Sequence, residues 1–143
     1  NFIANALLEA IKNKKIIRRG DGKEIREYIH VKDAAELSID IIDKKYKNKH
    51  LIVTGHEQIR VKDLLLMIKE IFNNEIELQF GHEQELHHYE ITPYSYKPQV
   101  AKKITPKTHY DLGQGIIDQI YDLEMSLDSK SKNKKIGLRK RKK

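Results

Sequence analysis

Apolar residues recur at helical spacing in several parts of the chain. One helical face is apolar over residues 2–13, which predicts an amphipathic helix there. The strongest stripe lies in residues 61–72 and consists of Leu64, Leu65, Ile68, Ile71 and Phe72. Asp33 and Glu36 have the spacing of a capping box, and they predict a helix from Asp33 to about Lys45. A short helix near residues 98–104 and a longer one over 113–126 complete the helical prediction.

Shorter apolar runs between these helices predict strands. "KIIR" precedes a "GDG" turn, and a strand over residues 24–30 is expected to pair back on it as a hairpin. "HLIVTG" at 50–55 is typical of a buried strand, and residues 75–80 alternate as a half-buried one. Helices and strands thus mix around one modest core. The fold class predicted is α/β or α+β.

The stretch "GDGKEIREYIHVKDAAE", residues 20–36, combines a turn, a strand and a helix start. Because successive strand residues point to opposite faces, Ile25, Ile29 and Val31 are expected to face the core. Arg26, Tyr28 and His30 would then share the other face. Such a face is either solvated or lines a polar site, and the alternation alone leaves both open.

The net charge of +7 is unevenly distributed along the 143 residues. Residues 129–143, "SKSKNKKIGLRKRKK", contain nine Lys or Arg and no acid, which leaves a net charge of −2 on residues 1–128. We therefore expect a globular part over 1–128 and a basic tail over 129–143, disordered because its like charges repel. Such a tail has the charge to contact nucleic acid, but the near-neutral body lacks interleaved basic and aromatic residues, which argues against that role.

The composition excludes several kinds of site. The chain has no cysteine, which rules out disulfides, thiolate zinc sites and cysteine nucleophiles and fits a cytoplasmic location. The longest apolar run, residues 64–68, is too short to cross a bilayer, so no membrane association is expected.

Two motif-like patterns lack the geometry that their chemistry needs. In "HEQELHHYE", residues 82–90, His82 and His87 would lie about 140° apart on a helix, unlike the facing pair of a zinc protease. A solvated loop is the favoured interpretation there, with a structural metal as the alternative. Tyr28 and Lys32 have Tyr-x-x-x-Lys spacing, but such a pair meets only on a helix, and Tyr28 is predicted in a strand. Dinucleotide-binding glycine motifs, a P-loop and a nucleophile elbow are all absent from the sequence.

Several segments, taken in order, resemble the extended short-chain dehydrogenase/reductase family, the NAD-dependent nucleotide-sugar epimerases and dehydratases. "NFIANALLEAIKNKKIIRRGDGKEIREYIHVKDAA" is similar to that family's helix, "GDG" turn, arginine and following helix start. "HLIVTGHEQIRVKDLLLMIKEIF" is similar to its later strand, turn and helix, and "YSYKPQVAKKITPKTHYDLGQGIIDQI" to its closing segment. The resemblance covers roughly residues 1–125. It implies the mixed α+β substrate-binding half of a Rossmann-type enzyme.

The resemblance also implies roles for particular residues. Arg26 would bind the diphosphate of a nucleotide-diphosphate sugar, with Tyr28 and His30 beside it, and Asp33 would cap the helix. Arg19 stands where many members place an aromatic residue against the base. The family's "RPGD" stretch is replaced by "HHYEITPY", so His88, Tyr89, Thr92 and Tyr94 are candidates for contacts to sugar or phosphate.

The family's glycine-rich loop and catalytic Ser/Thr, Tyr and Lys lie upstream of the segments matched here. The resemblance therefore implies that NAD is bound by an N-terminal half missing from this chain, and that the 143 residues alone are inactive. It allows for a homodimer of the intact enzyme. The alternative is a non-catalytic nucleotide-sugar-binding module, or a split subunit that needs a partner chain.

Overall fold

A computed structural model describes residues 2–56, 58–81 and 101–140. Its helices are α1 (Phe2–Asn13), α2 (Val31–Asp40), α3 (Val61–Ile71) and α4 (Leu112–Lys140), with a 3₁₀ turn at Lys44–Tyr46. Its strands are β1 (Lys15–Arg18), β2 (Ile25–Glu27), β3 (Leu51–Val53), β4 (Gln58–Arg60), β5 (Glu77–Phe80) and β6 (Lys102–Ile104). The mixed α/β class predicted from the sequence is confirmed.

The described strands pair into three two-stranded sheets. β1 lies parallel to β5, β3 lies parallel to β6, and β2 lies antiparallel to β4. The predicted hairpin between residues 15–18 and 24–30 is therefore wrong. The backbone N–H groups of Val61 and Lys62 donate to the carbonyls of Glu24 and Gly22, which binds the turn and β2 to the start of α3 instead.

The core is built where α1, α3 and α4 meet. Ala6 and Ala10 let α1 approach closely, and Leu64, Leu65 and Ile68 on α3 are almost completely buried. The remaining members of the cluster are Ile3, Leu7, Ile16, Val61, Ile76 and Ile116. Burying one such side chain stabilises the fold by about 1.5–3 kcal/mol, so the periodic stripes on α1 and α3 account for most of the packing.

Three predicted elements differ in the structure. The helix expected to run to Lys45 ends at Asp40. Residues 102–104, the last part of the helix predicted near 98–104, form strand β6, and residues 98–100 lie outside the described residues. α4 continues as helix through Lys140, whereas the charge density predicts disorder from residue 129. Lys and Arg are good helix formers, and extending an existing helix avoids the cost of nucleation. The division into 1–128 and 129–143 stays a prediction.

In the portion of the chain that the structure describes, no helix combines the length and apolarity needed to span a membrane.

Candidate functional site

Arg26 lies in the middle of β2, opposite Ile59 of β4. Its side chain is half-buried, and Nη1 donates a hydrogen bond of 2.8 Å to the carbonyl of Ile25. The guanidinium is thus held near the strand that carries it. Its planar set of donors is suited to phosphate or carboxylate oxygens.

Glu27, the next residue on β2, is the centre of a buried polar network. Its side chain is 2% exposed and accepts hydrogen bonds from the hydroxyl of Thr54 (2.6 Å), the amide of Gln58 (3.0 Å) and the ammonium of Lys103 (2.8 Å). These partners belong to β3's end, β4 and β6. One carboxylate therefore joins the β2–β4 sheet to the β3–β6 sheet.

The electrostatics of Glu27 balance two opposing effects. Burial alone would raise the pKa of its carboxyl, but the hydrogen bonds from Lys103, Thr54 and Gln58 outweigh it and hold the pKa below the ordinary value. Glu27 is therefore charged at neutral pH. Sequence reasoning missed this residue because its partners lie far away along the chain.

Tyr28 packs partly against the hydrophobic cluster, and it lines an open groove together with His30. Val31, by contrast, was expected in the core and is 74% exposed. The prediction fails because β2 ends at Glu27, and alternation applies only within a strand. Burial raises the pKa of the Tyr28 hydroxyl, and the nearby charge of Arg26 partly opposes this.

A second charged pair, missed by the sequence analysis, lies next to this strand. Arg18 at the end of β1 forms a 2.6 Å ion pair with Glu24, and its guanidinium stands 5.3 Å from the ring centre of Phe2. Arg19, which occupies the position where many family members place an aromatic residue against the nucleotide base, is exposed. Its backbone carbonyl closely approaches Gly81, where an added Cβ would clash with the Arg19 oxygen.

His30 caps helix α2 and packs against the segment that leads into α4. Its Nδ1 accepts from the N–H of Lys32 at 3.3 Å, and its ring stacks on Tyr110 with centroids 4.5 Å apart. The ammonium of Lys32 lies 4.8 Å from the centre of the same tyrosine ring. These residues line an open groove of about 770 Å³ that runs along α4, past Ile117 and Tyr121.

Asp33 was predicted to cap this helix, and that assignment is wrong. His30 is the capping residue, and Asp33 sits inside the first turn with its side chain buried. Its Oδ2 accepts a 3.0 Å hydrogen bond from the backbone N–H of Tyr110. Asp33 therefore ties α2 to the segment before α4, because a buried carboxylate needs such a donor.

Two further histidines lie near this contact. The rings of His56 and His109 are 4.8 Å apart, and a ring nitrogen of His56 contacts the carbonyl oxygen of Pro106. Together with His30 and Asp33 they border a small cavity of about 30 Å³. Even so, among residues 2–56, 58–81 and 101–140, no group of His, Cys, Asp or Glu is arranged to hold a metal ion.

The remaining predicted contacts to sugar or phosphate, His88, Tyr89, Thr92 and Tyr94, lie outside the described residues, as does the "HEQELHHYE" stretch. The structure therefore places Arg26 in a defined position and leaves these four as predictions.

The residues described here do not fit a dinucleotide cofactor. Gly22 is the one glycine with a positive φ, +73°, and it belongs to the "GDG" turn. An added Cβ at Gly22 would lie 3.0–3.1 Å from atoms of Lys62 and Phe80, so this turn is packed against protein and forms no open phosphate cradle.

Comparison with known proteins finds one family match. The NAD dependent epimerase/dehydratase family matches residues 1–55, a range that contains α1, β1, β2 with Arg26, α2 and β3. No curated protein matches the chain significantly.

Three solved structures share the fold. TunA, an NAD-dependent NDP-hexosamine 5,6-dehydratase involved in tunicamycin biosynthesis, aligns with 88% of this chain at 9% identity and a TM-score of 0.62. MoeE5, solved in complex with UDP-glucose and NAD, aligns with 89% at 14% identity and a TM-score of 0.66. MlghC, a GDP-mannoheptose C4 reductase from Campylobacter jejuni with NADP bound, aligns with 87% at 22% identity and a TM-score of 0.56.

At these identities the likeness establishes a shared fold. The chain spans 40%, 42% and 45% of the length of those three proteins. The match over residues 1–55 agrees with the sequence resemblance to the NAD dependent epimerase/dehydratase family, and the solved structures share the fold of this chain.

Proposed function

We propose that this chain is the substrate-binding portion of an NAD-dependent nucleotide-sugar epimerase or dehydratase, in which Arg26 binds the diphosphate of the substrate. The family match over residues 1–55 includes Arg26 and the strand that carries it. A solved protein of the same fold holds UDP-glucose and NAD, which supports this class of ligand.

The observation that carries the proposal is the way Arg26 is presented. It is half-buried on a strand whose next residue, Glu27, is fixed by three hydrogen bonds to three other segments. Because the strand that carries it is held in place, the Arg26 guanidinium loses little conformational entropy when it binds a ligand. It can donate two parallel hydrogen bonds to phosphate oxygens. Each hydrogen bond to a charged group contributes about 1.5–3 kcal/mol.

The chemical step belongs to residues beyond these 143. Hydride transfer between the sugar and NAD would use the family's glycine-rich loop and catalytic Tyr and Lys, which this sequence lacks. The other proposed substrate contacts are Arg19, Tyr28, His88, Tyr89 and Thr92.

We place the protein in the cytoplasm, in keeping with its lack of cysteine, and propose that the intact enzyme can form a homodimer.

One observation favours a second form of the same function, a split subunit that binds nucleotide sugar and completes a separate NAD-binding chain. β3 and β6 form a parallel sheet of two strands, although parallel sheets are normally larger and covered on both faces. On and beside α2, Val31, Ile39 and Ile42 are 70–79% exposed. Both features are expected of a chain that packs against another half, whether that half is in the same polypeptide or a different one.

The test is titration calorimetry with UDP-glucose, on this chain and on a protein that carries both halves. Arg26→Ala should weaken binding at least about tenfold, and Arg26→Lys should recover only part of the loss because an ammonium cannot bind two oxygens in parallel. Lys47→Ala is the matched control, since it removes one positive charge from an exposed turn elsewhere. Equal affinity of the Arg26→Ala and control proteins would rule out Arg26 as the diphosphate ligand.

A further inference from the structure

Strand β2, which carries Arg26, receives little support from its own sheet. β2 and β4 have three residues each, and among the described strands they pair only with one another. An antiparallel pair of this size is marginally stable without further packing. The position of Arg26 therefore depends on what the neighbouring residues of the strand contact.

Two contacts hold the chain immediately after Arg26. The buried carboxylate of Glu27 accepts a 2.6 Å hydrogen bond from the hydroxyl of Thr54, at the end of β3. At the following residue, the backbone carbonyl of Tyr28 lies so close to Gly55 that an added Cβ there would clash with it. A side-chain hydrogen bond and a backbone contact thus both fasten β2 to the end of β3.

Glu27 and Arg26 use opposite faces of the strand. Because consecutive strand residues point to opposite sides, the carboxylate anchors β2 on the side away from the guanidinium. The guanidinium donates to the carbonyl of Ile25 on the same strand, so it moves with that strand. A tilt of β2 by about 10° would move a guanidinium about 6 Å from its Cα by about 1 Å, which weakens a pair of parallel hydrogen bonds.

We propose that Glu27 is a positioning residue, whose hydrogen bonds fix β2 so that Arg26 meets the diphosphate of the substrate in a defined geometry. This inference rests on the proposed function, since it takes Arg26 as the diphosphate ligand. Glu27 itself is not expected to touch the substrate. Its carboxylate is 2% exposed, it already accepts from Thr54, Gln58 and Lys103, and its negative charge would repel phosphate.

Two substitutions at Glu27 separate positioning from charge. Glu27→Met and Glu27→Gln both remove one negative charge near an anion site, so electrostatics alone would make either variant bind a diphosphate more tightly. Methionine cannot make the hydrogen bonds. Glutamine can still accept from Lys103 and Gln58 through its oxygen and donate to the hydroxyl of Thr54. Positioning therefore predicts weaker binding with methionine and recovery with glutamine.

Titration calorimetry with UDP-glucose, on this chain and on a protein that carries both halves, measures the effect. Glu27→Met should raise Kd about five- to tenfold, and Glu27→Gln should raise it less than about threefold. In an Arg26→Ala background, Glu27→Met should change Kd by less than about twofold, because no guanidinium is left to position. Leu64→Ala, a destabilising change in the core between α1, α3 and α4, is the control, and it should change Kd by less than about twofold in either background.

A second measurement needs no ligand and includes Thr54→Val, a milder change that leaves every charge in place. The NMR order parameter of the Arg26 Nε–H group should fall by about 0.2 or more in Glu27→Met and by a smaller amount in Thr54→Val, and it should stay unchanged in Leu64→Ala. An unchanged order parameter in Glu27→Met and Thr54→Val would overturn the proposal.

The calorimetry can overturn it as well. Tighter binding by Glu27→Met would do so, and so would an equal loss in the presence and absence of the Arg26 guanidinium. If Arg26→Ala by itself leaves Kd unchanged, the proposed function fails. If Arg26→Ala weakens binding and Glu27→Met does not, the proposed function stands and the positioning role of Glu27 fails.

Discussion

Removal of the buried Glu27 carboxylate is expected to destabilise the fold more than removal of an exposed strand carboxylate such as Glu77. The Glu27 side chain is 2% exposed and accepts three hydrogen bonds, from Thr54, Gln58 and Lys103. Breaking a buried ion pair costs about 3–5 kcal/mol, but the Lys103 side chain is 31% exposed, so water can solvate the ammonium that is left. We expect Glu27→Ala to lower the free energy of unfolding by about 3 kcal/mol.

For a chain of this size, such a loss lowers the melting temperature by about 6–12 °C. The assay is urea unfolding followed by circular dichroism, together with a thermal melt. Glu77→Ala is the matched control, because Glu77 is also a strand glutamate paired with a lysine, Lys15, but its side chain is 60% exposed. Its loss should cost at most about 1 kcal/mol.

Lys103→Met separates the ion pair from the other bonds of Glu27. A double-mutant cycle with Glu27→Ala should give a coupling of about 1 kcal/mol or more, since the two groups touch at 2.8 Å. The reasoning would be refuted if Glu27→Ala and Glu77→Ala lowered the unfolding free energy equally. It would also fail if the cycle gave no coupling.

Three further outcomes follow from the described contacts. Glu27→Gln should remove the part of the stability that depends on an ionised Glu27 carboxylate. Because folding lowers the pKa of that carboxyl, the original chain should have a higher urea midpoint than the variant at pH values above the ordinary pKa of 4.5. This difference in midpoint should disappear as the pH falls below 4.5. Asp33→Ala should cost about 1–3 kcal/mol by leaving the N–H of Tyr110 without its acceptor, with Asp33→Asn milder, as measured by urea unfolding. Leu64→Ala, at a fully buried position, should lower the unfolding free energy by about 2–5 kcal/mol, while Leu66→Ala, 42% exposed on the same helix, should cost under about 1 kcal/mol.

The helices were predictable because their signal is local. The stripes of residues 2–13 and 61–72 repeat over three turns, and the structure has α1 and α3 within one residue of those bounds. Strand positions in runs of four residues, such as Lys15–Arg18, were also recognisable. The partner of each strand could not be predicted, because it lies far along the chain. For example, β1 pairs with β5 rather than with the nearby β2.

A strand of three residues is too short to be predicted from the alternation of apolar and polar residues. Lys102–Ile104 contains two lysines that favour a helix, yet it forms a strand because Leu51–Val53 offers it a parallel partner. In the candidate site, too, features set by local sequence were predicted and features set by distant segments were not. Arg26 was found from its strand and from the family resemblance, but Glu27 was passed over because Thr54 and Lys103, the groups that make it important, lie 27 and 76 residues away.

The sheet pairings have a consequence for how the chain acquires its structure. Among the described strands, no pair is joined by a hairpin, and paired residues lie 31–62 positions apart along the sequence (Glu27 with Gln58, Lys15 with Glu77). During synthesis at about 5–20 residues per second, β1 and β3 must therefore wait several seconds for β5 and β6 to appear. Helices α1 and α2 can form meanwhile, but the strands stay unpaired, and a rare-codon pause before residue 77 would prolong the interval in which they can pair wrongly.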